Sequence, residues 1–175
     1  DYSLMRVKEC RLGARHNHRQ LIEPGIPTMS AIADYFATEH RCCDEVFAAA
    51  EEAAQSGDLA RCRVDFQQFQ TAMERHFQKE EEGLFPAFEE ASGMFMGPTR
   101  VMRLEHQQMR ETFGEMNNAL ASGDLEEFLG QAETLLILMQ QHNIKEEQML
   151  YPMCDRALGS TAGSVLDAVR NLPAG

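Results

Sequence analysis

The chain has 175 residues, 43% of them hydrophobic, which is enough to bury the core of one domain. Its formal net charge is −12, from 16 Lys and Arg against 28 Asp and Glu, so the surface repels phosphate backbones and anionic lipid headgroups. Nucleic-acid and membrane partners are therefore disfavoured.

The pattern of apolar and cysteine residues narrows the class further. No apolar run approaches the roughly 20 residues that span a bilayer, and we expect no export signal at the N-terminus. The five cysteines are odd in number and lack Cys-x-x-Cys spacing, which disfavours a disulfide scaffold and a thiolate zinc site. We therefore expect a soluble protein of a reducing compartment, the cytoplasm.

Residues 1–28 differ from the rest of the chain in charge. Five basic residues against three acidic ones give this segment a net charge of +2, so the remainder carries −14. Pro24, Gly25 and Pro27 lie near its end, and helical periodicity begins only after Ser30. We predict a basic extension over 1–28, partly disordered or docked on the surface, and a folded domain over 29–175.

Helical periodicity then continues to the end of the domain without strand-like alternation. Gly57 and Gly123 suit the left-handed residue that ends a helix, and Asp58 and Asp124 suit the N-cap of the next helix. We predict four long helices and a short fifth one, over 30–55, 58–90, 98–121, 124–157 and 161–171. Pro86 and Pro152 fall inside predicted helices and are expected to bend them.

The four long helices form two similar pairs. The segment from His76 to Pro86 matches the segment from His142 to Pro152 at an offset of 66 residues, and Glu39-His40 matches Glu105-His106 at the same offset. Short turns within each pair require antiparallel neighbours. The sequence thus predicts an all-α, up-down-up-down four-helix bundle with a pseudo-two-fold internal repeat, an N-terminal extension and a short C-terminal helix.

The predicted core face of each helix is interrupted by polar residues at the same height. Spacings of three and four place these residues on apolar stripes, one His per helix and a Glu one turn after two of them. A single His-x-x-x-Glu pair is usually an exposed helix pair, but here both pairs recur at one offset. The candidate metal ligands are His40, His76, Glu80, His106, His142 and Glu146.

These six residues suit two metal ions. Two ionised Glu side chains in a bundle core cost several kcal/mol each unless a cation compensates them. Four imidazoles and two bridging carboxylates supply that compensation, and a nitrogen and oxygen donor set favours iron, manganese or zinc over copper(I). Six protein ligands for two ions leave open positions for water, oxo groups, dioxygen or nitric oxide.

The pattern resembles the His and His-x-x-x-Glu motif of the hemerythrin-like (HHE) cation-binding family over about residues 35–157. The resemblance implies a non-haem di-iron centre, oxo- or hydroxo-bridged, with manganese or zinc as alternatives. It implies His40 and His76 on one iron, His106 and His142 on the other, and Glu80 and Glu146 as bridges. Oxygen-carrying relatives have a fifth His on the third helix, where this chain has Met102 and Arg110. A more symmetric centre with an open position at each iron is therefore expected.

The function that such a centre performs stays open at the level of sequence. We expect a protein that binds or senses dioxygen or nitric oxide. The alternatives are a di-iron enzyme that reduces peroxide or nitric oxide, an iron donor in iron–sulfur cluster repair, and a bundle that metal only stabilises. No catalytic residue is assigned. The partner is expected to be a diatomic ligand or peroxide, and the apolar run 135–139 suggests a homodimer contact.

Several neighbours of the candidate ligands receive simpler interpretations. Tyr151 and Phe85 occupy equivalent repeat positions and are predicted to pack in the core. A residue next to a ligand points about 100° away on a helix, so most of the adjoining carboxylates should be solvated, with one or two orienting a ligand His. These adjoining residues are Glu39, Glu81, Glu105 and Glu147.

Overall fold

The computed structural model describes residues 31–173, so the predicted extension over 1–28 lies outside the described residues and the domain division stays a prediction. Within 31–173 the chain is helical and contains no strand. The α-helices are α1 (Ala31–Gln55), α2 (Leu59–Gln78), α3 (Phe85–Ser92), α4 (Pro98–Ser122), α5 (Leu125–Lys145), α6 (Tyr151–Leu158) and α7 (Ala162–Arg170). Two π-helical segments, Lys79–Leu84 and Glu146–Leu150, join α2 to α3 and α5 to α6.

The four longest helices pack around a common core. Helix α1 contacts α2 and α5, and α4 contacts α5 and α2, so that each helix has two neighbours among the four. This is the packing of a helical bundle. The up-down order and the two-fold symmetry of the repeat stay predictions, although both halves contain a long helix, a tight turn and a second helix that ends in a π-helical segment.

The tight turns use the predicted residues. Gly57 and Gly123 both have a φ of 77°, in the left-handed region where a side chain would be strained. The carboxylate of Asp58 accepts a hydrogen bond from the backbone N–H of Arg61, and Asp124 accepts one from Glu127, each at 3.0 Å. The Gly–Asp pairs thus end one helix and begin the next.

Both prolines lie just after a change of helix type. Each follows a π-helical segment, in which the N–H of Phe85 bonds to the carbonyl of Glu80 and the N–H of Tyr151 to that of Glu146. Pro86 and Pro152 have no N–H to donate, so each can follow such a segment without leaving a backbone donor unpaired. The continuous helices predicted over 58–90 and 124–157 are therefore each divided into an α, a π and an α part.

Two apolar clusters lie along the bundle with a polar layer between them. One cluster contains Phe66, Phe69 and Phe113 with their neighbours from all four long helices. The other contains Phe36, Phe85 and Tyr151 with residues of α3, α6 and α7. On α1 and α4 the candidate ligand His lies between residues of the two clusters, and after His76 and His142 the second cluster begins at Leu84 and Leu150 of the π-helical segments. The polar layer is thereby closed off from solvent at both ends.

Of the run 135–139, Leu135 and Met139 are buried in the core and only Ile137 is largely exposed, so the run offers a narrow outer face.

Cys43, Cys62 and Cys154 are buried free thiols, whereas Cys42 is disulfide-bonded, which the odd cysteine count did not lead us to expect. Among the described helices, none has the length and apolar character needed to cross a membrane.

The C-terminal helix α7 packs directly on the first π-helical segment. A Cβ at Gly83 would lie 2.6 Å from Cγ2 of Val169, a fully buried side chain of α7. We predict that Gly83→Ala lowers the free energy of unfolding by about 1–3 kcal/mol, because the added methyl overpacks this contact.

Gly114→Ala is the matched control for this prediction. Gly114 lies on α4, where an added Cβ meets nothing within 4 Å. Its replacement should raise the free energy of unfolding by about 0.5–1 kcal/mol through helix propensity alone. Urea unfolding of both variants measures the difference. A Gly83→Ala variant as stable as the wild type would show that α7 does not pack as described.

Candidate metal centre

The six predicted ligands come together in the polar layer of the bundle. None of them is more than 4% exposed. Their nitrogen and oxygen atoms form two adjoining groups that share Glu146, one of four residues and one of three, with all ligand atoms of a group within 4.8 Å of one another. The first group is Glu80, His106, His142 and Glu146, and the second is His40, His76 and Glu146.

Each carboxylate lies between imidazoles from both halves of the chain. Oε2 of Glu80 is 3.4 Å from Nε2 of His76 on its own helical stretch and 3.2 Å from Nε2 of His106 on α4. Oε2 of Glu146 is likewise 3.3 Å from Nε2 of His142 and 3.2 Å from Nε2 of His40. A carboxylate in this position can bridge two cations, each held by a pair of imidazoles.

Several buried polar atoms of the layer have no hydrogen-bond partner. They are both ring nitrogens of His76, Oε2 of Glu80 and Oε1 of Glu146. Leaving such atoms unpaired in a protein interior costs about 1–3 kcal/mol each, and more for a charged group. Nε2 of His76 and the two carboxylate oxygens can each offer a lone pair, so a divalent cation fits as their missing partner, whereas Nδ1 of His76 is the outer nitrogen on the side of Glu39.

The carboxylates around the layer raise the pKa values of three of its imidazoles. Burial on its own lowers the pKa of an imidazole, but Glu146 and Glu105 overcome this effect at His142 and raise its pKa to about 10. Neighbouring carboxylates also raise the pKa of His40, through Glu146 and Glu147, against the effect of its burial. The pKa of His106 is raised in the same way by Glu80 and Glu81. The pKa of Glu146 is held well below its ordinary value, because His142 and His40 outweigh its desolvation. The layer therefore attracts positive charge.

A second set of carboxylates faces the outer nitrogen of every candidate ligand His. Nδ1 of His40 lies 2.8 Å from Glu147, Nδ1 of His106 lies 2.7 Å from Glu81, and Nδ1 of His142 lies 2.9 Å from Glu105. Nδ1 of His76 is more distant, at 3.6 Å from Glu39. A carboxylate at Nδ1 orients the ring and leaves Nε2 free to face a metal.

Three of these outer carboxylates are themselves held by cations. Lys79 donates to Glu39, Lys145 donates to Glu105, and the guanidinium of Arg110 donates to Glu81 at 3.0 and 3.3 Å. Desolvation opposes the effect, but His106 and Arg110 hold the pKa of Glu81 at about 2, and His76 and Lys79 do the same for Glu39. These carboxylates are charged at neutral pH.

The sequence predicted that most of these carboxylates are solvated and that one or two of them orient a ligand His, and this number was too low. All four contact an imidazole, and Glu147 is the most exposed of them at 42%. The helical argument placed each Glu about 100° from the adjacent ligand on its own helix, which is correct, but each one reaches a His on a different helix. The signal that could have identified them is their recurrence at the repeat offset, each beside one of four candidate ligands, His40, Glu80, His106 and Glu146.

Tyr151 packs in the core as predicted, and its hydroxyl in addition belongs to the layer. Its hydroxyl oxygen lies 2.7 Å from Oε1 of Glu80, 2.7 Å from Oε2 of Glu146 and 3.1 Å from Nε2 of His40. In an α-helix a residue five positions after Glu146 would point about 140° away from it. The π-helical segment widens the turn by one residue and brings Tyr151 onto the same face as Glu146.

The fold and the layer together define a helical-bundle protein with a buried His and Glu site suited to cations. A family model agrees: the hemerythrin HHE cation binding domain matches residues 31–154. The chain belongs to this family, and the resemblance seen in the sequence is confirmed. No curated protein and no solved structure shows significant similarity to the chain.

The raised pKa of His142 predicts how the stability of the metal-free chain depends on pH. A group whose pKa is higher in the folded state stabilises the fold fully below its unfolded value, near 6.5, and loses that effect as the pH rises through its folded value, about 10. We expect the free energy of unfolding of the metal-free wild type to fall by a few kcal/mol between pH 6.5 and 10.

Denaturant unfolding of the metal-free chain across this pH range tests the prediction. His142→Gln is the matched variant, because it removes the titrating group and keeps a polar side chain of similar size. Its stability should fall much less over the same interval. Parallel curves for wild type and variant would contradict the contribution assigned to His142.

Proposed function

We propose that the protein is a non-haem di-iron protein that binds or senses dioxygen or nitric oxide at a centre of four His and two Glu. The observation that carries the proposal is the sealed layer of four imidazoles and two carboxylates with unpartnered buried atoms, in a chain of the hemerythrin HHE family. The predicted manganese and zinc alternatives use the same donor set.

In this proposal each half of the layer holds one ion. His40 and His76 bind one iron, His106 and His142 bind the other, and Glu80 and Glu146 lie between them. The positions of Oε2 of Glu80 and of Glu146, each within 3.4 Å of an imidazole from both pairs, support this division. The outer carboxylates orient the rings and add negative charge that retains the cations.

The surroundings of the layer favour a small ligand. Phe77 stacks on His106 at 4.0 Å between ring centroids, and Phe36 lies 5.8 Å from His76. These buried rings exclude bulk water, and the ligand residues are at most 4% exposed, so a large substrate does not fit without separating the helices. Iron, when bound, would supply the redox-active electrophile to which dioxygen or nitric oxide coordinates.

A second candidate is a di-iron enzyme that reduces peroxide or nitric oxide. Reduction of either molecule consumes protons, and the hydroxyl of Tyr151 is a proton-bearing group within hydrogen-bond distance of both central carboxylates. This observation favours the enzyme over the remaining alternatives.

One reconstitution experiment tests the proposal and separates the two candidates. The chain is loaded anaerobically with ferrous iron, the iron per chain is counted, and absorption spectra are recorded on adding dioxygen, nitric oxide and peroxide. Two irons per chain and a reversible adduct support the binding protein. Irreversible oxidation with sustained peroxide or nitric oxide consumption supports the enzyme. Fewer than two irons per chain contradicts both.

The bridging role of the central carboxylates gives a direct prediction. Glu80→Gln and Glu146→Gln should each lose at least one of the two irons, because a neutral amide cannot compensate two cations. Glu82→Gln is the control, since Glu82 lies on the same π-helical segment but is exposed. Metal analysis after desalting gives the count. Two irons in either bridging variant would overturn the assigned roles.

The outer carboxylates give a prediction of smaller effect. Glu105→Gln should weaken metal binding by about 10–100-fold while two sites remain, because it loosens the orientation of His142. Glu111→Gln on the same helix serves as the control, since Glu111 is exposed and bonds only to Gln107 among the contacts described. Competition with a chelator of known affinity measures the change. Equal affinities for both variants would remove Glu105 from the site.

A further inference from the structure

Two aromatic residues occupy equivalent places beside the layer, and only one of them carries a hydroxyl. Phe85 follows the first π-helical segment, and Tyr151 follows the second at the repeat offset of 66 residues. Both side chains are fully buried. The ring of Tyr151 lies 5.8 Å from that of His40, and the ring of Phe85 lies 6.0 Å from that of His106. The two rings thus face corresponding imidazoles.

The hydroxyl of Tyr151 reaches inside the layer on the side of His40. Its three contacts, to Glu80, Glu146 and His40, are all with candidate metal ligands and are all 3.1 Å or shorter. The group of three ligand atoms that contains His40 and His76 is therefore the one to which Tyr151 adds a further oxygen.

The corresponding region beside His106 is lined by carbon. Phe77 stacks on one side of His106, and the ring of Phe85 lies nearly parallel to it, with an interplanar angle of 16°. Nε2 of His106 contacts Nε2 of His142 at 3.1 Å and Oε2 of Glu80 at 3.2 Å. Phe85 has no hydroxyl with which to fill the place that Tyr151 fills in the other half.

We propose that Tyr151 makes the two metal positions inequivalent. It closes the position at His40 and His76 to exogenous ligands and leaves the position at His106 and His142, beside Phe85, open to them. This inference rests on the proposed function and replaces the two open positions expected from the sequence. One small ligand per centre follows from it.

The physical reason is competition for space and for hydrogen bonds. A ligand that enters on the side of His40 must displace a hydroxyl that lies 2.7 Å from two buried carboxylates and donates its one proton to one of them, and hydrogen bonds to carboxylates are among the strong ones. A ligand that enters beside Phe85 displaces no hydrogen bond. An apolar wall of this kind also suits an uncharged diatomic molecule.

Azide binding to the diferric protein tests the inference. The variants are Tyr151→Phe, which opens the closed position, and Phe85→Tyr, which places a hydroxyl at the open one. Tyr35→Phe is the control for loss of a hydroxyl near the layer, because the hydroxyl of Tyr35 interacts with Lys79 and the outer carboxylate Glu39 and with none of the six candidate ligands. Iron is counted in every sample, and azide is titrated by absorption and by equilibrium dialysis.

The expected results differ between the variants. The wild type and Tyr35→Phe bind one azide per two irons, Tyr151→Phe binds two, and Phe85→Tyr binds azide at least tenfold more weakly than the wild type. If Tyr151→Phe does not fold, Phe85→Tyr carries the test by itself.

Other outcomes overturn the inference in distinguishable ways. Two azides in the wild type, or unchanged azide binding in both variants with two irons retained, would remove the role of Tyr151 and leave the di-iron proposal intact. A wild type that retains fewer than two irons would overturn the di-iron proposal and this inference with it.

Discussion

The burial of two carboxylates at the centre of a helical bundle is the constraint on which the rest of the structure depends. Glu80 and Glu146 have no exposed surface, and an ionised carboxylate in such a place costs several kcal/mol unless positive charge compensates it. In the metal-free chain the raised pKa values of His40, His106 and His142 show that protons provide part of that charge. Protons and metal cations therefore compete for the same layer.

The fold meets this constraint with successive shells of alternating charge. Imidazoles surround the central carboxylates, a second set of carboxylates faces the outer ring nitrogens, and Lys79, Lys145 and Arg110 hold three members of that set. The two π-helical segments belong to the same arrangement, because the wider turn lets Glu146 and Tyr151 share one face. A proline follows each segment, at a place where its missing N–H leaves no donor unpaired.

The long helices and the six candidate ligands could be predicted from the sequence, because helical periodicity and the repeat at an offset of 66 residues are both visible in it. The ends of the long helices at the Gly–Asp turns are within one or two residues of their predicted positions, and the six residues assigned from the repeat do converge. The π-helical segments, and with them the contacts of the Tyr151 hydroxyl with the layer, were not predicted, because a change of helix type is not visible in a pattern of period 3.6. The number of outer carboxylates that contact a ligand His was underestimated, because each of them contacts a His on another helix.

The central claim is that one sealed layer holds two metal ions between two pairs of imidazoles. Diffraction from crystals of the iron-loaded chain, recorded on both sides of the iron absorption edge, tests it most directly. The account predicts two anomalous peaks, one against His40 and His76 and one against His106 and His142, with Glu80 and Glu146 between them. A single peak, or iron bound only outside the layer, would contradict it.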